Sequence, residues 1–126
     1  MTKTSIYLQH GEHIDWINKL AFYTDEIAIM QTRLEEVSSK NNAHEIRKEI
    51  EHFQNQFIIQ KAHVHDMRQV IKQDEKQIQA NILSNPVASD HRKTEDHAVE
   101  RESIQSLELT INDLRKEFKT FLSKYL

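Results

Sequence analysis

The sequence predicts an all-α fold, an antiparallel up-down-up three-helix bundle with long, coiled-coil-like helices. Apolar residues recur at alternating spacings of four and three in three long runs, which short polar stretches separate. The chain of 126 residues also contains only one glycine and one proline. Sheet proteins need turn residues about every 8–12 positions, so a few long elements are expected. Short connections make consecutive helices antiparallel neighbours. We expect a single domain over residues 1–126.

The first run predicts a helix over residues 10–39. Its apolar members alternate strictly at spacings of four and three: Trp16, Leu20, Tyr23, Ile27, Met30, Leu34 and Val37. This a/d pattern is typical of a helix that is buried along one seam. The run stops in the polar segment 38–42, where Asn42 can cap the next helix with Glu45 as its reciprocal partner.

The second and third runs predict helices over residues 43–83 and 86–126, both longer than the first. The members of the second run are Ile46, Ile50, Phe53, Phe57, Gln60, Val64, Met67, Ile71, Asp74, Ile78 and Asn81. The members of the third run, of which the first four are polar, are Asp90, Lys93, His97, Glu100, Ile104, Leu107, Ile111, Leu114, Phe118, Phe121 and Tyr125. Asn85 and Pro86 suit the N-cap and N1 positions of the third helix, with a start near Ser89 as the alternative.

Eight apolar residues lie beside the seams: Ile14, Ile17, Phe22, Ile29, Ile58, Ile59, Leu109 and Leu122. Those that stay exposed would form an association surface. The first predicted helix is also shorter than its partners and would leave part of their seams uncovered. The sequence therefore favours a non-enzymatic interaction or scaffold protein, either a homodimer or the partner of another protein that binds in a groove between helices. No cofactor is expected for such a role.

Composition excludes several other functions. The net charge is −3 and the basic residues are interspersed with acidic ones, which predicts neither nucleic acid nor a membrane as partner. The absence of cysteine suits the cytoplasm, and residues 1–10 lack the apolar run of a signal peptide. The sequence shows no nucleophile with a base and no glycine-rich phosphate loop, so an enzyme is not favoured.

Polar residues are expected to gather at one end of the bundle. When neighbouring helices are paired about the predicted turns, this end collects His10, His13, Asp74, His97 and Glu100. Histidines with one or two carboxylates suit Zn²⁺ or Fe²⁺, so a small metal-binding bundle is the alternative function. Three other interpretations stay open: a solvated helix end, a buried pair that fixes the register, and a proton-transfer site without metal.

Known di-iron bundle patterns do not match. The ferritin-like arrangement needs Glu-x-x-His on two helices and a glutamate from each of two more. This chain has one such motif, Glu49–His52, and one His-x-x-x-Glu motif, His91–Glu95.

A separate polar interruption, Gln60, stands in the apolar seam between Phe57 and Val64. One amide in such a seam most often pairs with another polar group and so sets register or oligomeric state.

Two segments carry a resemblance to known proteins. They run from Trp16 to Glu26, WINKLAFYTDE, and from Glu51 to Gln60, EHFQNQFIIQ. These blocks resemble segments of uncharacterised short bacterial helical-bundle proteins of unknown function, over the first two helices. The resemblance implies a bacterial cytosolic protein, and it implies no catalytic residues.

Overall fold

The computed structural model describes residues 3–84 and 90–125, which form three helices. Helix α1 spans Lys3–Lys40, α2 spans His44–Ser84 and α3 spans Asp90–Tyr125. No strand occurs among these residues. The predicted all-α three-helix bundle is confirmed. None of the three helices, as far as the chain is described, has a stretch long and apolar enough to cross a membrane.

Side-chain contacts between the helices give their directions. Glu12 contacts Arg101 and Glu26 contacts Arg115, so α1 and α3 run the same way. Helix α2 runs against both of them, because its early residue His52 contacts Glu117, late in α3. Charged pairs on the surface thus follow the up-down-up order that the seams predict.

Helix α1 is longer than the sequence predicted. It begins at Lys3 rather than near residue 10, and its 38 residues compare with 36 in α3. The seam continues upstream through Gln9 and His13, which are polar yet 3% and 1% exposed. The expectation of a short first helix that leaves its partners uncovered is therefore wrong. The predicted start of α3, at Asn85 and Pro86 or near Ser89, lies outside the described residues.

One continuous apolar core lies between the helices, and aromatic rings fill one end of it. Phe57 and Phe118 meet edge to face, with ring centroids 5.0 Å apart, and Phe53 and Phe121 surround them. Of the eight flanking apolar residues, Ile17 and Leu122 pack against this core. The other six are exposed: Ile14, Phe22, Ile29, Ile58, Ile59 and Leu109.

Candidate metal centre

The opposite end of the bundle holds three side chains whose ligand atoms converge. These are His13 from α1 and His97 and Glu100 from α3, and the three atoms lie within 4.8 Å of one another. His13 occupies a seam position one turn before Trp16, while His97 and Glu100 are three residues apart and so share one face of α3. The two histidines are 1% and 4% exposed. A metal ion can be held by this group.

Both ring nitrogens of His13 contact carboxylates. Its Nδ1 lies 3.0 Å from Glu75 Oε1, and its Nε2 lies 3.0 Å from Glu100 Oε1. The second oxygen of Glu75 accepts a hydrogen bond from His10 Nδ1. Glu75 is itself buried in the α2 seam. His13 is thus fixed between α2 and α3 by two directional contacts.

His97 is held in a similar way on its other side. Its Nε2–H donates to Glu12 Oε1 at 2.9 Å. Arg101 fixes Glu12 with two hydrogen bonds, of 2.6 Å from Nη2 and 3.2 Å from Nε. The Trp16 ring stacks on the His97 imidazole with centroids 4.7 Å apart. The position of the imidazole is therefore set by a carboxylate at one edge and an indole on one face.

Two buried atoms at this site have no hydrogen-bond partner among the described residues. They are His97 Nδ1 and Glu100 Oε2. His97 Nδ1 lies 3.8 Å from Glu100 Oε1, which also contacts His13. Leaving a polar atom buried without a partner costs free energy. Each of the two atoms belongs to a side chain that can ligate a metal ion.

Burial and a neighbouring carboxylate disfavour the ionised form of Glu100. Burial raises the pKa of Glu100 to about 7; the His13 hydrogen bond opposes this rise, and the nearby Asp74 carboxylate adds to it. Burial lowers the pKa of His13, but the contacts with Glu100 and Glu75 outweigh that effect, and its pKa is raised. The pKa values of both His13 and Glu100 are therefore raised above their ordinary values.

His97 differs from His13 in its preferred protonation. Burial lowers the pKa of His97, and the hydrogen bond to Glu12 offsets only part of this effect. The pKa of Glu12 is lowered chiefly by the hydrogen bond from Arg101, against the opposing effect of its burial. His97 is thus neutral near pH 7, with Nε2 protonated toward Glu12 and Nδ1 left as the basic nitrogen. This tautomer is the one that coordinates a metal through Nδ1.

Three of the five predicted site residues come together, and two lie beside them. His10 reaches the group only through Glu75 and has a side chain that is 41% exposed. Asp74 is half-buried next to Glu100 but outside the converging set. The interpretation of this end as solvated does not describe His13 or His97, which are both buried.

Sequence reasoning missed Glu75 and Glu12. His13 lies level with Glu75, whereas pairing about the predicted turn placed it near Gln69. The predicted seam also passed through Asp74, whereas the structure buries Ile71, Glu75 and Ile78. A spacing of four and then three joins these buried residues as well, so the rhythm alone did not choose between neighbouring positions. Glu12 gave no signal, because its role depends on Arg101 and His97 from another helix.

Comparisons with known proteins give no relative. No family model matches this chain, and no curated protein or solved structure is similar to it.

Proposed function

We propose that this protein binds a divalent transition-metal ion, Zn²⁺ or Fe²⁺, through His13, His97 and Glu100. One observation carries the proposal: each histidine presents one nitrogen toward Glu100 while a carboxylate contacts its other nitrogen. Histidines that ligate metals almost always have such a carboxylate or carbonyl partner, which fixes the ring and makes the ligating nitrogen more basic. Glu75 and Glu12 supply it here.

The ligand set suits these two ions. Two imidazoles and one carboxylate form the protein part of many zinc sites, and the same set with open positions binds non-haem Fe²⁺. Solvent completes the coordination of an ion held by three protein ligands. The positive charge of the ion would also offset the clustered carboxylates, which include Glu100 and Asp74.

Two of the three ligand–ligand distances are close to those of a metal site, and all three ligand atoms lie within 4.8 Å of one another. Ligand atoms about 2.1 Å from one ion lie about 3.0 Å apart at right angles and about 3.4 Å apart at the tetrahedral angle. His13 Nε2 and Glu100 Oε1 are separated by 3.0 Å. His97 Nδ1 and the same oxygen are separated by 3.8 Å. An ion would replace the proton between His13 and Glu100 and would give His97 Nδ1 a partner.

The test uses untagged protein that has been stripped with a chelator. We expect calorimetric titration with Zn²⁺ or Fe²⁺ to give saturable binding of one ion per chain, and Co²⁺ to give the absorption bands of a nitrogen- and oxygen-ligated site. His97→Leu should abolish the signal. Glu12→Gln keeps all three ligands and should weaken affinity by roughly 10–100-fold, as loss of an outer-shell partner does.

A matched control separates this site from general histidine content. His52 has a side chain 54% exposed and lies 3.8 Å from Glu117 at the other end of the bundle. His52→Leu should leave the affinity unchanged. Equal losses in the His52 and His97 variants, or wild-type protein that neither binds nor is thermally stabilised by these ions, would end the proposal. Either outcome would leave the two interpretations without metal: a polar network that fixes the helix register, or a proton-transfer site.

The interaction role is the second candidate, and one groove favours it. Phe22 and Ile29 are 60% and 63% exposed and, with Leu122, line a groove of about 380 Å³ between α1 and α3. Exposed apolar side chains in a groove suit an amphipathic helix of a partner protein. Selection from a library of helical peptides should yield binders that Ile29→Asp abolishes and that Ile59→Asp, on α2, does not. Peptides that bind the Ile29→Asp variant as tightly as the wild type would contradict the interaction role.

A cytoplasmic location, a bacterial source and the lack of enzymatic activity stay predictions from the sequence.

A further inference from the structure

The candidate metal centre opens to the surface on the side of Glu100. The side chains of His13 and His97 are 1% and 5% exposed, whereas that of Glu100 is 12% exposed. Glu75 contacts His13 from α2, and the Trp16 ring covers one face of His97. A small ligand from solvent therefore reaches an ion at this centre most directly beside Glu100.

Glu100 lines a groove between α2 and α3, which we call the α2–α3 groove. Its apolar walls are Met67, Val70 and Ile71 from α2 and Val99 from α3. Val70 and Val99 are 52% and 63% exposed. The groove has a volume of about 340 Å³, at the lower end of the roughly 300–1,000 Å³ of small-molecule sites. Apolar walls with a few polar groups are typical of such sites, and here Glu100 belongs both to the groove and to the metal centre.

Carboxylates around the groove disfavour an anionic ligand. Asp66 lines the groove, and Asp74 lies next to Glu100. These two groups and the ligand Glu100 surround the positive charge of a bound ion with carboxylates, and a further negative charge beside them costs free energy. The other polar residues that line the groove, His63 and Ser103, can form hydrogen bonds with an uncharged molecule.

We propose that the α2–α3 groove admits a small uncharged molecule that has a nitrogen or oxygen donor at one end and an apolar body. The donor replaces solvent on the ion held by His13, His97 and Glu100, and the apolar body lies against Val70 and Val99. Three protein ligands with one position open to water or substrate are typical of catalytic rather than structural zinc sites. The inference rests on the proposed function and extends it from holding an ion to presenting that ion to a ligand.

Two probes that share one donor test the proposal on the Co²⁺-loaded protein. Imidazole carries the nitrogen donor alone, and 4-phenylimidazole carries the same donor with an apolar ring. We expect each probe to shift the Co²⁺ absorption bands saturably. The dissociation constant of 4-phenylimidazole should be about tenfold lower than that of imidazole, because its ring is buried against the apolar walls. Gel filtration followed by metal analysis should show that Co²⁺ stays with the protein.

A variant of the apolar wall places the phenyl ring. Val99→Ser removes apolar surface from the groove, adds no charge and keeps all three metal ligands. It should weaken the binding of 4-phenylimidazole roughly three- to tenfold. The binding of imidazole and the affinity for Co²⁺ should not change, because neither depends on this wall.

A second variant tests the preference for an uncharged ligand. Benzoate has an apolar ring and a negative charge, so the Asp66 carboxylate should oppose its binding. Asp66→Asn should strengthen the binding of benzoate roughly two- to fivefold, the size of an interaction between exposed charges, and should leave 4-phenylimidazole unaffected. Benzoate binding that does not respond to Asp66→Asn would overturn this preference.

Two controls locate the apolar body. Leu109 is 66% exposed on α3 but does not line the α2–α3 groove, and Phe22 lines a pocket beside Trp16 and Glu12. Leu109→Ser and Phe22→Ser should leave the binding of both probes unchanged. Equal affinities of the wild type for the two probes, a probe that only removes Co²⁺, or a loss in either control as large as in Val99→Ser would overturn the proposal while metal binding stands. Protein that binds no Co²⁺ would overturn the proposed function as well, so the two failures are distinct.

Discussion

The two ends of the bundle bury comparable layers by different means. At one end Phe53, Phe57, Phe118 and Phe121 fill the space between the helices at 5% exposure or less. At the other end His13 and His97, at 1% and 4% exposure, fill the same kind of space. The hydrophobic effect that buries these rings is non-directional and does not depend on protonation. The histidines instead need hydrogen-bond partners, and carboxylates from α1, α2 and α3 provide them.

This difference shows that the seam pattern specifies where side chains are buried but not how they are stabilised. A buried ionic network often contributes less stability than an apolar layer of the same volume, because its groups lose their hydration. Under the proposed function, a bound metal ion would offset this loss at the polar end.

The largest effect is expected at the aromatic end. Phe118→Ala removes a ring that is 1% exposed and contacts Phe57 at 5.0 Å. We expect a loss of about 3–5 kcal/mol in the free energy of unfolding, from lost burial and the cavity left behind. Urea denaturation followed by circular dichroism measures it. Phe22→Ala is the matched control, since Phe22 is 60% exposed, and should cost about 0.5 kcal/mol or less. Similar losses in both variants would contradict the packing described for this end.

The polar end should respond in the opposite direction. The double variant His97→Leu, Glu100→Leu replaces two groups that have buried atoms without partners. In the absence of metal we expect the apolar replacement of these two groups to stabilise the fold by about 1–4 kcal/mol, less the cost of leaving His13 Nε2 without its acceptor. The same variant should bind no metal.

The single variant Glu100→Leu is the control for this double change. Like the double variant it leaves His13 Nε2 without its acceptor, but it keeps the buried His97 in place of an apolar side chain, so it should be the less stable of the two variants. Thermal unfolding of both variants with a chelator present makes the comparison. A double variant that is as destabilised as Phe118→Ala would mean that the polar layer is a required part of the core.

The fold could be predicted from the sequence because helix periodicity is local. The four-three spacing from Trp16 to Val37 needs no knowledge of neighbouring helices, and every member except Tyr23 is buried. The site was predicted only in part. His97 and Glu100 were found because both lie on one face of a single helix.

Glu75 was missed because its role depends on how two helices are aligned along their length. Neighbouring residues on a helix point about 100° apart. Asp74 therefore lies near Glu100, whereas Glu75, the next residue, faces His13. The sequence does not contain this alignment in local form. Only the side-chain contacts of the folded bundle determine it.

A smaller effect is expected from pH, and only at the polar end. The pKa of His13 is raised, so its contribution to stability is present below pH 6.5 and is lost as pH rises through its folded value. The pKa of Glu100 is raised from 4.5 to about 7, so stability also falls as pH rises from 4.5 to about 7, where the unfolded carboxyl is ionised and the folded one is still protonated. His97, with a lowered pKa, loses stability only as pH falls below its ordinary 6.5.

In the window above pH 6.5 only these two raised groups contribute: Glu100 until the pH passes about 7, and His13 until the pH passes its folded value. We expect the free energy of unfolding of the metal-free wild type to fall by about 1–2 kcal/mol across this window. Urea denaturation at several pH values measures the fall, and the His97→Leu, Glu100→Leu variant should show a smaller one. A wild-type stability that rises with pH in this window would contradict the assigned directions.

The smallest effect is expected between the two ends, where exposed ion pairs join α1 to α3. Arg115 donates to Glu26 through Nε at 2.8 Å and through Nη2 at 2.5 Å. Hydrogen bonds from both nitrogens make this pair the best-formed one at mid-bundle, yet its two side chains are 24% and 21% exposed. Water and salt screen such a pair, so Arg115→Met should cost about 1 kcal/mol or less, and the cost should shrink in high salt.

Lys19→Met is the control for that variant. Lys19 has a single contact with Glu108 at 3.0 Å and a side chain 54% exposed, so its removal should have a still smaller effect. Urea denaturation at low and high salt measures both. If Arg115→Met lowered the free energy of unfolding as much as Phe118→Ala does, and did so at every salt concentration, the Arg115–Glu26 pair would behave as a buried interaction. Polar groups would then contribute to the buried contact between α1 and α3 at mid-bundle as well as at the polar end.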